Sequence, residues 1–145
     1  MPKQQLELTE EQTEGQQSTE QQNPVQQLMD VLKQFPTSPT QDEVEKWKTK
    51  YGDVFVSGFS DNELFIWRTI NRREWLDFQL KMSQKENTSQ MELEELICEF
   101  CVLWKSIKLN WSEGKAGTPS VLHEQILQRS NFMNPQTAAT MMLKL

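Results

Sequence analysis

Few residues in this chain could carry out chemistry, and the first to test is the pair in Cys98-Glu99-Phe100-Cys101. A C-x-x-C does redox work when its attacking cysteine stands at a helix N-terminus, where the backbone dipole favours the thiolate. Here both cysteines fall two turns inside an apolar helical pattern, one among acids and one beside leucine and tryptophan. A zinc site needs four ligands, and His123 is the single histidine. Both thiols are therefore expected to pack as small hydrophobes.

The other candidates are weaker. His123 sits beside Glu124 with no serine or cysteine motif to activate, and a general base needs a proton within hydrogen-bond reach. An exposed helix histidine is expected. Glu92, Glu94, Glu95 and Glu99 could offer metal carboxylates, but di-metal bundles pair Glu-x-x-His motifs on facing helices and none occurs. They read as a solvated face. Arg68, Arg72, Arg73, Lys81 and Lys85 lie near Trp67 and Trp75, the mixture of charge and ring surface used on single strands. Both tryptophans fall on the apolar sides of their segments, however, and a nucleic-acid site belongs in a clearly basic domain. Gly114-x-x-Gly117 lacks the G-K-[ST] ending of a phosphate loop. No catalytic constellation, cofactor motif or metal set emerges. The expected class is a non-enzyme, with a small regulatory or single-stranded nucleic-acid-binding module as the alternative.

The elements that must position these residues centre on residues 63–78, ELFIWRTINRREWLDF. Leu64 to Trp67 reads as a buried strand, and Asn71-Arg72-Arg73-Glu74 as a capping box opening a helix with Trp75 and Phe78 inside. Upstream, DVFVSGF at residues 53–59 alternates as a strand and forms a hairpin with residues 64–68 across a Ser60-Asp61-Asn62-Glu63 turn. Such a hairpin is not stable alone, so helices must cover it or a partner chain must extend it.

Helices are expected elsewhere. Asn23-Pro24 opens one with Val25, Leu28, Met29, Leu32 and Phe35 on a face. Thr40-Gln41-Asp42-Glu43 opens another, carrying Val44, Trp47 and Tyr51 and stopped at Gly52. Ser89-Gln90-Met91-Glu92 begins the most apolar helix, through Leu93, Leu96, Ile97, Phe100, Cys101, Leu103 and Trp104. Residues 107–117 read as irregular. Thr118-Pro119 caps a helix with Val121, Leu122, Ile126 and Leu127, and Asn134-Pro135 opens a last short one. The fold class is α+β, mainly helical, with about five or six helices around one antiparallel β-hairpin. Its core is expected to rest on Phe65, Trp67, Trp75, Ile97, Phe100 and Trp104.

Composition sets the remaining bounds. The chain has 145 residues and a net charge of −6, but residues 1–30 alone carry −5 and leave the body near neutral. Residues 1–23 are rich in Gln and Glu with little apolar beyond Leu6 and Leu8, so they are expected to be a disordered arm. A single globular domain then spans 24–132, and 133–145 form a short helix or docking tail. Two cysteines without a signal-like N-terminus suit a reducing cytosol. No apolar run approaches the ~20 residues of a membrane span.

The segments YGDVFVSGFSDNELFIWRTINRREW, EELICEFCVLW and AGTPSVLHEQILQRSNF, in that order between Tyr51 and Phe132, resemble small tail-morphogenesis proteins of large contractile-tailed phages. That group includes tail assembly chaperones and baseplate-associated proteins. The residues that carry the likeness are the aromatic strand ending in Arg68 with Arg73-Glu74-Trp75 behind it, Cys101-Val102-Leu103-Trp104, and Ala116-Gly117-Thr118-Pro119 leading to Ser130-Asn131-Phe132. The resemblance implies a non-enzymatic role in phage tail assembly, with other tail or baseplate proteins as partners. It also implies a place in the host cytoplasm during assembly, and leaves a place in the virion open. The apolar end suits docking, with Met141, Met142, Leu143 and Leu145 as the partner-binding candidates.

Overall fold

The structure, a computed structural model, describes residues 24–59 and 63–145. Leu64-Phe65-Ile66-Trp67 has no polar position to turn toward water, so a strand made from it must be covered on both faces. It forms β2 (Leu64–Arg68), the middle strand of a three-stranded antiparallel sheet, between β1 (Val54–Gly58) and β3 (Val102–Lys105). All five β2 residues are buried. β1 pairs with β2 in the register Val54↔Arg68 to Gly58↔Leu64, and the Phe59 N–H donates to the Glu63 carbonyl at 2.8 Å to close the hairpin.

The period of two divides the core. Phe65 and Trp67 face α4 (Gln90–Cys101) and α5 (Thr118–Arg129), where Ile97, Cys98, Cys101, Leu122 and Ile126, together with Ile70 just beyond β2, complete one cluster. Leu64 and Ile66 face α1 (Pro24–Lys33), packing with Leu32, Leu28 and Val56. Trp47 of α2 (Gln41–Tyr51) joins that second cluster. Gly58 allows α1 its close approach, since a Cβ there would come within 2.7 Å of Leu28 Cδ2. The architecture is therefore α+β, with helices on both faces of one small sheet.

Local signals held where they depend on neighbours in sequence. Thr40 with Glu43 and Asn71 with Glu74 form complete capping boxes, the second opening α3 (Arg72–Ser83). Ser89 accepts from the Glu92 N–H at the head of α4. Gly52 ends α2 at φ +85, a conformation that favours glycine. At α5 the expectation fails, because Gly117 is the cap and makes no side-chain bond. Thr118 is instead the first helical residue, and its hydroxyl donates to buried Glu63 at 3.4 Å.

The larger correction concerns Trp104. Helical spacing carried the fourth helix through Leu103 and Trp104, but the chain leaves it at Cys101 and becomes β3. Pairing with a strand far away in sequence decides this: Phe65↔Lys105, Ile66↔Trp104 and Trp67↔Val102, with a bulge that leaves Leu103 without an opposite number. Trp104 is half-buried, its indole N–H donating to the Thr37 carbonyl at 2.8 Å and its ring edge-on to Phe35. Of the expected core, Phe65, Trp67 and Ile97 are buried, Trp75 and Trp104 are half-buried, and Phe100 is exposed. The expected arm at residues 1–23, the Asn23 cap and most of the hairpin turn lie outside the described residues.

Candidate docking surfaces

The C-terminal segment is the most exposed apolar part of the described chain. Asn134 opens α6 (Pro135–Ala139) by accepting the Thr137 N–H at 2.7 Å, and the helix ends at Thr140 rather than running on to Leu145. Met141, Met142 and Leu143 are 74, 79 and 84 % exposed, and Leu145 is fully so. Every residue from 131 to 145 is exposed. This segment leaves the body at Phe132, whose ring lies 4.7 Å from that of Trp75. Trp75 in turn stacks on Phe78.

From there the apolar row continues into a groove between α3 and α4. Its lining is Phe78 and Met82 from α3 with Leu96 and Phe100 from α4, and Lys81, Lys85 and Glu99 complete it. The groove encloses about 350 Å³. It exists because α3 carries an apolar stripe at Trp75, Phe78 and Met82, yet buries none of its residues completely. The sequence signalled Trp75 and Phe78; Met82 extends the same face by one turn and marks where the groove lies.

Of the basic-aromatic constellation, Arg72, Arg73, Lys81 and Lys85 are exposed and Trp75 is half-buried, while Trp67 and Arg68 are taken into the body. Arg68 is buried, its Nη1 donating to both carboxylate oxygens of Glu74 and its guanidinium held between the rings of Tyr51 and Phe100, 4.3 and 4.7 Å away. Trp67 stacks on Phe55 and donates its indole N–H to Ser57 Oγ at 2.7 Å, and Ser57 donates onward to Gln125 at 2.6 Å. The ring and the cation that would have read a base are consumed by the fold.

Both cysteines are fully buried, and burial pushes each thiol up to about 12. Cys101, Glu94 and Glu95 add to the effect at Cys98, whose thiol donates to the Pro119 carbonyl at 3.4 Å. At Cys101, Arg68 opposes it. Thiols so held are poor nucleophiles. His123, expected at the surface, is buried, because α5 turns Pro119, Leu122, His123 and Ile126 toward the core. Burial lowers its pKa, against the pull of Glu94 and Glu124. The glutamate face of α4 is not wholly solvated either: Glu94 accepts from Ser120 at 2.6 Å, and Glu99 from the Trp111 indole at 2.9 Å. Among the described residues no group of three His, Cys, Asp or Glu could hold a metal, and no helix is long and apolar enough to cross a membrane.

No protein-family model, curated protein or solved structure matches this chain.

Proposed function

We propose that this chain is a non-enzymatic assembly protein that works by docking on other protein chains, and that the assembly it serves is a phage tail. One observation carries the docking part: four large apolar side chains, Met141, Met142, Leu143 and Leu145, stand in solvent beside a body with its own buried core. Contiguous apolar surface of this kind marks interaction sites. The tail itself is supplied by the resemblance of residues 51–132 to tail-morphogenesis proteins. The alternative of a single-stranded nucleic-acid module is weakened, since Trp67 and Arg68, two of the seven residues it would use, are both buried.

The test is recovery of a tagged chain from phage-infected cells, with mass spectrometry of the recovered proteins and of purified particles. Tail or baseplate proteins should be enriched with the tagged chain. Presence in finished particles marks a component, and presence in lysate complexes alone marks a chaperone. Recovery without any tail or baseplate protein overturns the reading.

A further inference from the structure

We infer that the C-terminal run is an unfinished helix, which α6 completes through Leu145 on entering an uncharged apolar groove of a partner protein. This rests on the reading of Met141–Leu145 as a docking segment, and it adds the bound conformation and the surface that receives it.

Continuing α6 past Thr140 sorts the exposed side chains onto two faces. Ala138, Met141, Met142 and Leu145 fall at i, i+3, i+4 and i+7, a stripe roughly 100° wide. Gln136, Thr140 and Lys144 fall at i, i+4 and i+8 on the opposite side, with Leu143 among them. An extended run sorts the same residues differently. Met141, Leu143 and Leu145 would then share one side, and Met142 would join Lys144 on the other. The two modes therefore disagree over Met142 and Leu143.

The backbone already follows the helical path. Thr140 has helical angles, φ −67 and ψ −17. The N–H groups of Met141 and Met142 donate to the Ala138 and Ala139 carbonyls at 3.1 and 3.2 Å, the tighter i→i−3 turns common at helix ends. The costly step in making a helix is its first turn, and α6 supplies that turn through the Asn134 cap and Pro135. Methionine, leucine and lysine, which make up residues 141–145, are good helix formers. Two things stop the helix at Thr140. Its hydroxyl donates to the Thr137 carbonyl at 2.7 Å and competes with the backbone there, and every side chain beyond it meets only solvent. A receiving groove supplies the missing contact. From Ala138 to Leu145 the stripe is roughly 10 Å long, so the groove spans about two helical turns. It needs no charge, because Lys144 points the other way in the completed helix. A lipid surface is disfavoured, since helices that lie on one carry several basic residues on the polar face and this one carries Lys144 alone.

Two measurements on the full chain test this. In the purified protein, carbon-13 chemical shifts of residues 141–145 should move to helical values when trifluoroethanol stands in for an apolar surrounding. They should stay coil-like in Leu143→Pro, which removes the bond that a completed helix makes to the Ala139 carbonyl. Coil-like shifts in the wild type overturn the inference, whatever the partner. The second measurement is recovery of identified tail or baseplate proteins by tagged chains from phage-infected cells. Met142→Glu and Leu143→Pro should each lower that recovery about tenfold, and Leu143→Glu about twofold. A greater loss with Leu143→Glu than with Met142→Glu would mark an extended segment; the inference then falls and the docking function stands. Co-sedimentation of the wild type with phosphatidylglycerol vesicles, lost in Met142→Glu, would assign the helix to a lipid surface and overturn the inference as well. If the shifts turn helical but no chain recovers a tail protein, the phage-tail reading falls alone.

Discussion

A single nitrogen of Arg68 reaches both carboxylate oxygens of Glu74, at 2.9 and 2.8 Å, while the same carboxylate accepts the Asn71 N–H that opens α3. The end of the central strand is thereby fastened to the start of the next helix. Removing one partner of a buried pair leaves the other charge without compensation. Glu74→Ala should cost about 2–3 kcal/mol, less than for a fully buried pair because the Glu74 side chain is 23 % exposed. Glu74→Gln, which keeps an acceptor, should fall in between. Urea unfolding measures both, and a Glu74→Ala midpoint equal to wild type would show that this fastening contributes nothing.

This relationship marks what the sequence could and could not reveal. The Asn71–Glu74 box is visible because a cap is decided within four residues, as it is at Thr40–Glu43. The partnership of Glu74 with Arg68 is hidden, because it depends on how far the strand end is buried beneath Tyr51 and Phe100. β3 is hidden in the sequence for the same kind of reason. Leu103 and Trp104 continue a helical spacing, and only pairing with Ile66 and Trp67 makes them strand. His123 was legible in principle: Pro119, Leu122, His123 and Ile126 repeat at three, four and seven, but Val121 and Leu127 suggested a face turned slightly away. The apolar C-terminal run is visible as composition, whereas the groove between α3 and α4 needs two helices brought side by side.

Trp104 offers a second test. A fully buried tryptophan lost to alanine costs ~3–5 kcal/mol, and half-burial brings Trp104→Ala nearer ~2–3 kcal/mol. Trp104→Phe keeps a ring against Phe35 but loses the bond to the Thr37 carbonyl, for about 1 kcal/mol. The pair of melting curves separates ring packing from the hydrogen bond. Equal losses for the two variants would assign the whole effect to the indole N–H.

His123 makes stability depend on pH in a defined direction. Burial holds its pKa below the ordinary 6.5, with Glu94 and Glu124 opposing. The unfolded imidazole therefore takes up its proton first as pH falls. This residue's contribution is complete above pH 6.5 and declines below it, toward the lower folded value. Urea midpoints of the wild type should drop as pH falls below 6.5 more steeply than those of His123→Gln. Parallel slopes in the two proteins would mean that His123 is hydrated in the folded state.

The two thiols should be silent in the native protein. With both pKa values raised to about 12 and both side chains fully buried, an aromatic disulfide reagent at mildly alkaline pH should react only as fast as the chain opens. Two thiols should then appear at once in denaturant. Replacing both by alanine should leave partner binding and metal content unchanged, whereas serine at either position buries a hydroxyl and should destabilise more than alanine. Rapid labelling of one thiol under native conditions would contradict the packing assigned to α4. Stoichiometric zinc in the wild type, lost from the double alanine variant, would replace it with a metal site.

The C-terminal run gives the sharpest separation of stability from function. Residues 137–145 are exposed throughout, and α6 is held by its own Asn134 cap and short-range backbone bonds, not by burial against the body. Ends of this kind contribute little to folding, because their side chains meet solvent in both the folded and unfolded states. Deleting residues 137–145 should therefore leave the melting temperature within about 3 °C of wild type. Phe132 stays in place on Trp75 in that variant, so the root of the segment is preserved. Co-purification with tail or baseplate proteins should nevertheless be lost. Replacing Met142 and Leu143 together by glutamate is the finer version, since both are at least 79 % exposed and the chain length is unchanged. A melting temperature lowered by ten degrees or more in either variant would mean that the run packs on the body in solution. Docking would then have to be sought elsewhere on the molecule.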